Sequence, residues 1–363
     1  MIDIALLRTD PDLLRRTATQ RGTDVEVDRL VTVEDELRQA SARATTLRAQ
    51  QRRQAMSREQ VDAQAAQALR DEMSAAAEEV RALQELRDQL WARLPNLLAA
   101  DTPAGDNVEL RREGHPVVAD EARDHRAVGT ALGILDPARG TQEAGRAGYY
   151  WRGDGARLAW AVFTHAQRML HDRELTPMLL PVADRDGALG RYRDQVIDGA
   201  ELPIRLAVFA AHPCHTVEQV VLCRPQDAEY WLGQCQRNTE DILRELELPY
   251  RVVRVCAAEL AAPAYQACAT ESWFPGSGEY RQTHSAATLT DYQARRFRIR
   301  YLDGGRVAQP HTLSATGVTE LAVAAILENH VQPDGSVRIP EALRPYLDGQ
   351  ELIEPKTDGT GPS

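Results

Sequence analysis

From Thr23 to Leu94 the chain contains neither glycine nor proline, and no other feature restricts its possible folds as strongly. The stretch is rich in Ala, Glu, Gln, Arg and Leu, which lose little side-chain freedom in a helix, so long helices are expected. Leu30, Leu37 and Ala44 recur every seven residues, and Leu69, Met73, Ala76, Val80, Leu83, Leu90 and Leu94 follow four- and three-residue steps. That is the seam of a coiled coil, broken only where Arg87 takes a seam position. The polar segment from Met56 to Gln64 lacks comparable seam residues and is the predicted reversal point of an antiparallel helical hairpin. On pattern alone such a hairpin reads first as a partner-binding or dimerising coiled coil. From Leu37 to Arg58, however, it carries six arginines (Arg38, Arg43, Arg48, Arg52, Arg53 and Arg58) and no acidic residue. On a chain of net charge −11 this is a local positive patch, although the average argues against indiscriminate nucleic-acid binding.

Leu97–Asp106 supplies a Pro- and Gly-containing exit from the hairpin. Two domains are therefore expected in these 363 residues, a helical arm over 1–105 and a core over 106–363. In the core, helices are predicted at Arg157–Asp172, Gln226–Leu248 and Gly317–Val331. Strands are predicted at Thr176–Val182, Ile204–Ala210, Val217–Cys223, Tyr250–Cys256, Thr270–Trp273, Ala294–Tyr301 and Val307–Leu313. Short strands with helices interspersed imply an α+β domain on a largely antiparallel sheet. No apolar run reaches the length of a membrane span, and the N-terminus lacks the order of a secretion signal. The five cysteines are odd in number and show no CxxC pairing, which fits a reduced, cytoplasmic setting.

The same segments resemble seryl-tRNA synthetases along nearly the whole chain. Trp273-Phe274-Pro275-Gly276-Ser277-Gly278-Glu279-Tyr280-Arg281 and Asp291-Tyr292-Gln293-Ala294-Arg295-Arg296 are the most specific matches. Further ones are Asp10-Pro11-Asp12-Leu13-Leu14-Arg15, Leu132-Gly133-Ile134-Leu135-Asp136, His311-Thr312-Leu313 and Leu327-Glu328-Asn329. The resemblance implies a class II synthetase-like antiparallel sheet core with an N-terminal antiparallel coiled-coil hairpin. It also implies a homodimer, and an arm that holds serine tRNA through Arg38, Arg43, Arg48, Arg52 and Arg53.

Four departures from the family pattern surround the implied active site. No arginine or lysine stands between His311 and Arg338, and Leu321 occupies the place of the third motif's arginine. None occurs from Leu206 to Cys223 either, where Phe209-Ala210-Ala211-His212-Pro213-Cys214-His215 replaces the second motif's Phe-Arg-x-Glu and its long loop. The Thr-x-Glu element that holds the substrate amine is missing between Val182 and Glu201. Finally, Gln282-Thr283-His284-Ser285-Ala286-Ala287-Thr288 replaces the family's Glu-Leu-Ser-Ser-Cys-Ser-Asn. A triphosphate needs fixed cations, so ATP and magnesium are not expected as cofactors.

His212, Cys214, His215 and His284 are the candidate reactive groups, because a Cys/His arrangement yields a nucleophile and histidine serves as a base near neutral pH. Gln282, Ser285, His311, Thr316 and Glu218 are expected to line the same pocket. Zinc is a weak alternative, since His212-x-Cys214 beside His215 is poor ligand spacing. The expected function is use of seryl-tRNA as donor to transfer the seryl group to a small-molecule acceptor in specialised metabolism. The alternatives are a non-catalytic tRNA- or partner-binding protein and an ATP-dependent amino-acid ligase of altered substrate.

Overall fold

The computed structural model describes residues 1–56, 63–145, 148–181, 187–211 and 215–355. The chain divides into two compact units, Met1–Leu98 with Ala261–Pro263, and Ala99–Leu260 with Ala264–Ser363. The division falls at Leu98, where the expected boundary was residue 105.

The first unit is built on two long helices, α1 (Val27–Met56) and α2 (Ala63–Ala92). They run antiparallel, since Glu34 meets Arg87 near one end and Arg43 meets Glu79 further along. Most of the expected reversal segment lies outside the described residues. Leu30, Leu37 and Ala44 of α1 and Leu69 and Ala76 of α2 are buried, as the seven-residue spacing requires. The interruption at Arg87 has a physical reason. Its guanidinium lies 3.7 Å from the carboxylate of Glu34, which is itself only 4% exposed and also holds Arg8.

The second unit carries an eight-stranded sheet. Its strands are β1 (Val108–Glu113), β2 (Thr176–Leu179), β3 (Ile204–Ala210), β4 (Thr216–Cys223), β5 (Tyr250–Arg254), β6 (Gln266–Phe274), β7 (Glu279–Thr288) and β8 (His311–Thr319). They lie in the order β1-β5-β6-β7-β8-β4-β3-β2, and every neighbouring pair is antiparallel except β3 with β2. Every residue of β4 is buried, its apolar Val217, Val220, Val221, Leu222 and Cys223 as well as the polar Glu218 and Gln219.

Helices α3 (Asp154–Asp172), α4 (Ala228–Glu245) and α5 (Glu320–His330) complete the unit. The α4 helix covers one face of the sheet. Gln219 of β4 donates to the Cys235 carbonyl at 3.0 Å, Gln236 donates to Thr270 of β6 at 2.9 Å, and Arg111 of β1 reaches Glu240 at 3.0 Å. Leu170 of α3 packs under Gly317 and Val217 on that same side.

The α5 helix is apolar around most of its circumference and correspondingly buried from Ala322 to His330. Its one buried carboxylate, Glu328, accepts hydrogen bonds from the His125 backbone at 3.1 Å and the Gly276 backbone at 2.8 Å, and lies 2.7 Å from His125 Nδ1. A side chain at Gly276 would place its Cβ 2.6 Å from the Asp124 backbone, so this junction requires glycine.

Two expected elements are corrected. The segment Ala294–Tyr301 was expected as one strand, but Tyr292–Phe297 is a helix that ends at Arg298 in the left-handed region (φ 56°), and only Arg300–Asp303 is extended. Its alternating Phe297, Ile299 and Tyr301 mimic a strand, while Ala294 and Phe297 are buried with helical spacing. The helix expected from Gly317 begins instead at Glu320, because β8 continues to Thr319.

Candidate functional site

Strand alternation places Thr216 and Glu218 of β4 and Thr316 of β8 on the face turned away from α4, while Gln219 points to α4. There Thr216 Oγ1 lies 3.0 Å from Glu218 Oε1, and Thr316 Oγ1 lies 3.4 Å from the same oxygen. Glu218, Thr216 and Thr316 are all buried. Ser285 and Gln282 of β7 share this face by alternation, one half-buried and one exposed, on either side of a register shift between Gln282 and His284. The expected pocket residues Glu218, Thr316, Ser285 and Gln282 therefore fall on one surface. That surface offers a carboxylate, hydroxyls and an amide, and its strands β3, β4 and β8 direct no arginine or lysine to it. Arg205, the single cation on the three, pairs with Glu174 at 2.9 Å and lies over the Trp231 ring of α4.

Among the described residues, the expected histidines do not converge. His284 sits on the α4 side, paired in register with Thr270, only 2% exposed. Its Nδ1 lies 2.7 Å from Thr283 Oγ1, and its Nε2 has no hydrogen-bond partner among the described residues. Burial pushes this imidazole down to about 3, so it stays neutral throughout the physiological range. His311 lies opposite Cys223 at the far end of β8 from Thr316, and burial lowers its pKa as well. His212 and Cys214 lie outside the described residues, as does the zinc alternative that depends on them. The described thiols Cys223 and Cys235 are pushed up to about 12 by burial, so neither is a ready nucleophile.

A pH test follows from His284. Its folded pKa is depressed, so the unfolded chain takes up a proton near pH 6.5 that the folded chain refuses. Stability is complete above that pH and falls by about 1.4 kcal/mol per pH unit below it, down toward pH 3. Replacing His284 by Leu should flatten this share of the acid limb in urea unfolding curves measured from pH 7 to pH 4. An unchanged limb would remove His284 as its source.

His215 is placed differently. It immediately precedes β4 and is half exposed, and its Nδ1 lies 3.3 Å from Glu320 Oε2 at the start of α5. The two line a cavity of about 290 Å³ together with Tyr149, Trp151, Trp160 and Phe163. Glu320 and the aromatic residues were not foreseen as site residues. The available signal was Tyr149-Tyr150-Trp151, three aromatics in succession in a chain with 5% aromatic content. A second cavity of about 770 Å³ is lined by Arg191, Arg193 and Arg296 beside Met178, Pro181 and Phe297.

An antiparallel sheet with this strand order, ending in a strand-to-helix step at β8–α5, defines a class II synthetase core. Residues 191–330 match the tRNA synthetase class II core domain (G, H, P, S and T), and residues 1–100 match the seryl-tRNA synthetase N-terminal domain. Among sequence relatives, the serine–tRNA ligase of Mycobacterium marinum is 32% identical over 419 aligned positions, covering 98% of this chain and 100% of that protein. Serine–tRNA ligase 1 of Streptomyces avermitilis is likewise 32% identical, covering 98% and 99%. Among solved structures, seryl-tRNA synthetase from Pyrococcus horikoshii complexed with ATP superimposes with a TM-score of 0.88 at 27% identity, covering 98% of this chain and 100% of the other. The chain belongs to the seryl-tRNA synthetase family. The 419-position alignment exceeds its 363 residues, so the relatives carry segments that this chain lacks.

Proposed function

We propose that this protein binds serine tRNA in its aminoacylated form and transfers the seryl group to a small amine, without activating serine on ATP. The observation that carries this reading is where cations are kept and where they are lost. Arg48, Arg52 and Arg53 on the arm are exposed and carry no ion pair among the described residues. The sheet face at Glu218 and Thr316 receives no arginine or lysine from β3, β4 or β8. Phosphodiesters of a polynucleotide are thus still provided for, and a triphosphate is not.

The donor arrives already activated as an ester on the 3′-terminal ribose. The amine nitrogen attacks the ester carbonyl, a C–N bond forms, and the C–O bond to the ribose breaks. The proton lost by nitrogen ends on the ribose oxygen. His215, which precedes β4, is half exposed and lies 3.3 Å from Glu320, is the base in this proposal. A homodimer is part of the same reading. Edge strand β2 with Leu179 (78% exposed) and Trp160 (61% exposed) borders an apolar cavity of about 750 Å³, a surface that monomers rarely leave open.

The test is discharge of radiolabelled seryl-tRNA by the purified dimer onto a panel of amines. A labelled seryl amide supports the reading, and seryl-tRNA that stays intact across the panel counts against it. In parallel, replacing Arg48 and Arg52 by Ala should lower the slope of log affinity for tRNA against log salt by about one per lost contact. The described histidines lie apart, and that favours the second reading, a tRNA-binding protein without turnover. It gives the same salt slope and no discharge.

A further inference from the structure

The cavity at His215 is built unlike the polar face of the sheet. Tyr149 and Trp151 meet edge to face at 5.3 Å between ring centroids, and Phe163 lies 6.2 Å from His215. Trp160 lies 6.4 Å from Phe163. The Tyr149 hydroxyl is pushed up to about 12, first by burial and then by the Glu320 carboxylate, so it remains a neutral phenol. Glu320 is the carboxylate among the residues lining this chamber and is about one quarter exposed (28%), while the Arg126 guanidinium lies over the Tyr149 ring at 5.5 Å. Ring faces and one carboxylate attract the same kind of guest, an organic cation. At about 290 Å³ the chamber is at the small end of ligand pockets, which limits the guest to one ring or a short branched chain.

We propose that this chamber is the receptor for a small primary ammonium ion, whose nitrogen is held by Glu320 beside His215 and whose apolar body lies against Trp151, Trp160 and Phe163. The proposal rests on the transfer reading for its biological sense, because it makes this ion the acceptor. Glu320 holds the ammonium, His215 takes one of its protons, and the free amine nitrogen is then the nucleophile. The chamber stands at the end of the sheet where Thr216 pairs with Thr319; Thr216 turns toward Glu218, and His215 turns to the α3 side against Phe163 and Phe209.

Direct titration tests the chamber independently of any transfer. Benzylammonium and isobutylammonium are compared with benzyl alcohol and isobutanol by calorimetry and by tryptophan fluorescence on the full-length protein at pH 7. The ammonium ions should bind at least about 10-fold tighter than their neutral counterparts. Glu320→Gln, nearly isosteric, should abolish that preference while leaving the unfolding midpoint close to wild type. Trp151→Leu should weaken all the ligands. Equal binding of alcohol and ammonium, or a preference that survives Glu320→Gln, overturns the proposal, as does absence of binding by folded protein. Ammonium binding that depends on Glu320, without seryl transfer, would keep the chamber and defeat only the transfer reading. Seryl transfer unaffected by Glu320→Gln would do the reverse.

Discussion

Serine-dependent exchange of pyrophosphate into ATP is expected to be at least about 10⁴-fold slower with this protein than with a serine–tRNA ligase relative. The family resemblance assigns one arginine to the place of Leu321 and another to the segment after Val208, and this chain has neither. Losing one preorganised transition-state donor typically costs about 2.7–4 kcal/mol, so two such losses cost roughly 5–8 kcal/mol, about 10⁴–10⁶ in rate. The turn between β3 and β4 spans only Ala211–His215, too short to bring a distant cation back over the face. Leu321→Arg alone should recover less than about 10³-fold, because the second position stays empty of charge. Exchange within 100-fold of the relative would show that ATP chemistry persists through other groups, and would favour the ligase alternative over seryl transfer.

The largest stability effect is expected at Glu328. Its carboxylate is 1% exposed and holds the backbone N–H of His125 and of Gly276 together with the His125 ring. Glu328→Ala leaves two buried groups of His125 and the part-buried N–H of Gly276 without their partner, a change that typically costs about 3–5 kcal/mol and threatens folding outright. Glu328→Gln keeps an acceptor oxygen and should cost about half as much. Urea unfolding of both variants decides the matter, and an alanine variant less than 1 kcal/mol below wild type would contradict it. The contrast with Leu321 is instructive. The helix that carries this clamp begins with Glu320-Leu321, an acid and a leucine, where the family resemblance implies an arginine.

The hairpin was legible because a Gly- and Pro-free run with a seven-residue apolar period has one economical solution. Strands β3 and β4 were legible to within a residue for the same reason, a dense apolar run between turn residues. The 292–301 segment was not, since arginines alternating with apolar residues fit either a short helix or a strand until packing decides. The site was legible only in part. Glu218, Thr316, Ser285 and Gln282 could be grouped because strand pairing fixes which side chains share a face. His284 was misplaced by the register shift at Thr283, which turns it toward α4. Glu320 and the aromatic chamber come from segments far apart in sequence, and no local pattern joins Tyr149 to Glu320.

The Glu34–Arg87 pair in the arm has a mechanical consequence. A charged rung in an apolar seam is tolerated only opposite its mate, so sliding one helix by a heptad would strand a carboxylate among leucines. The arm therefore works as a ruler with one permitted setting. At about 1.5 Å per residue, Arg48 and Arg52 stand roughly 20–27 Å beyond that rung, and any polynucleotide they grip is held at a height the hairpin has fixed.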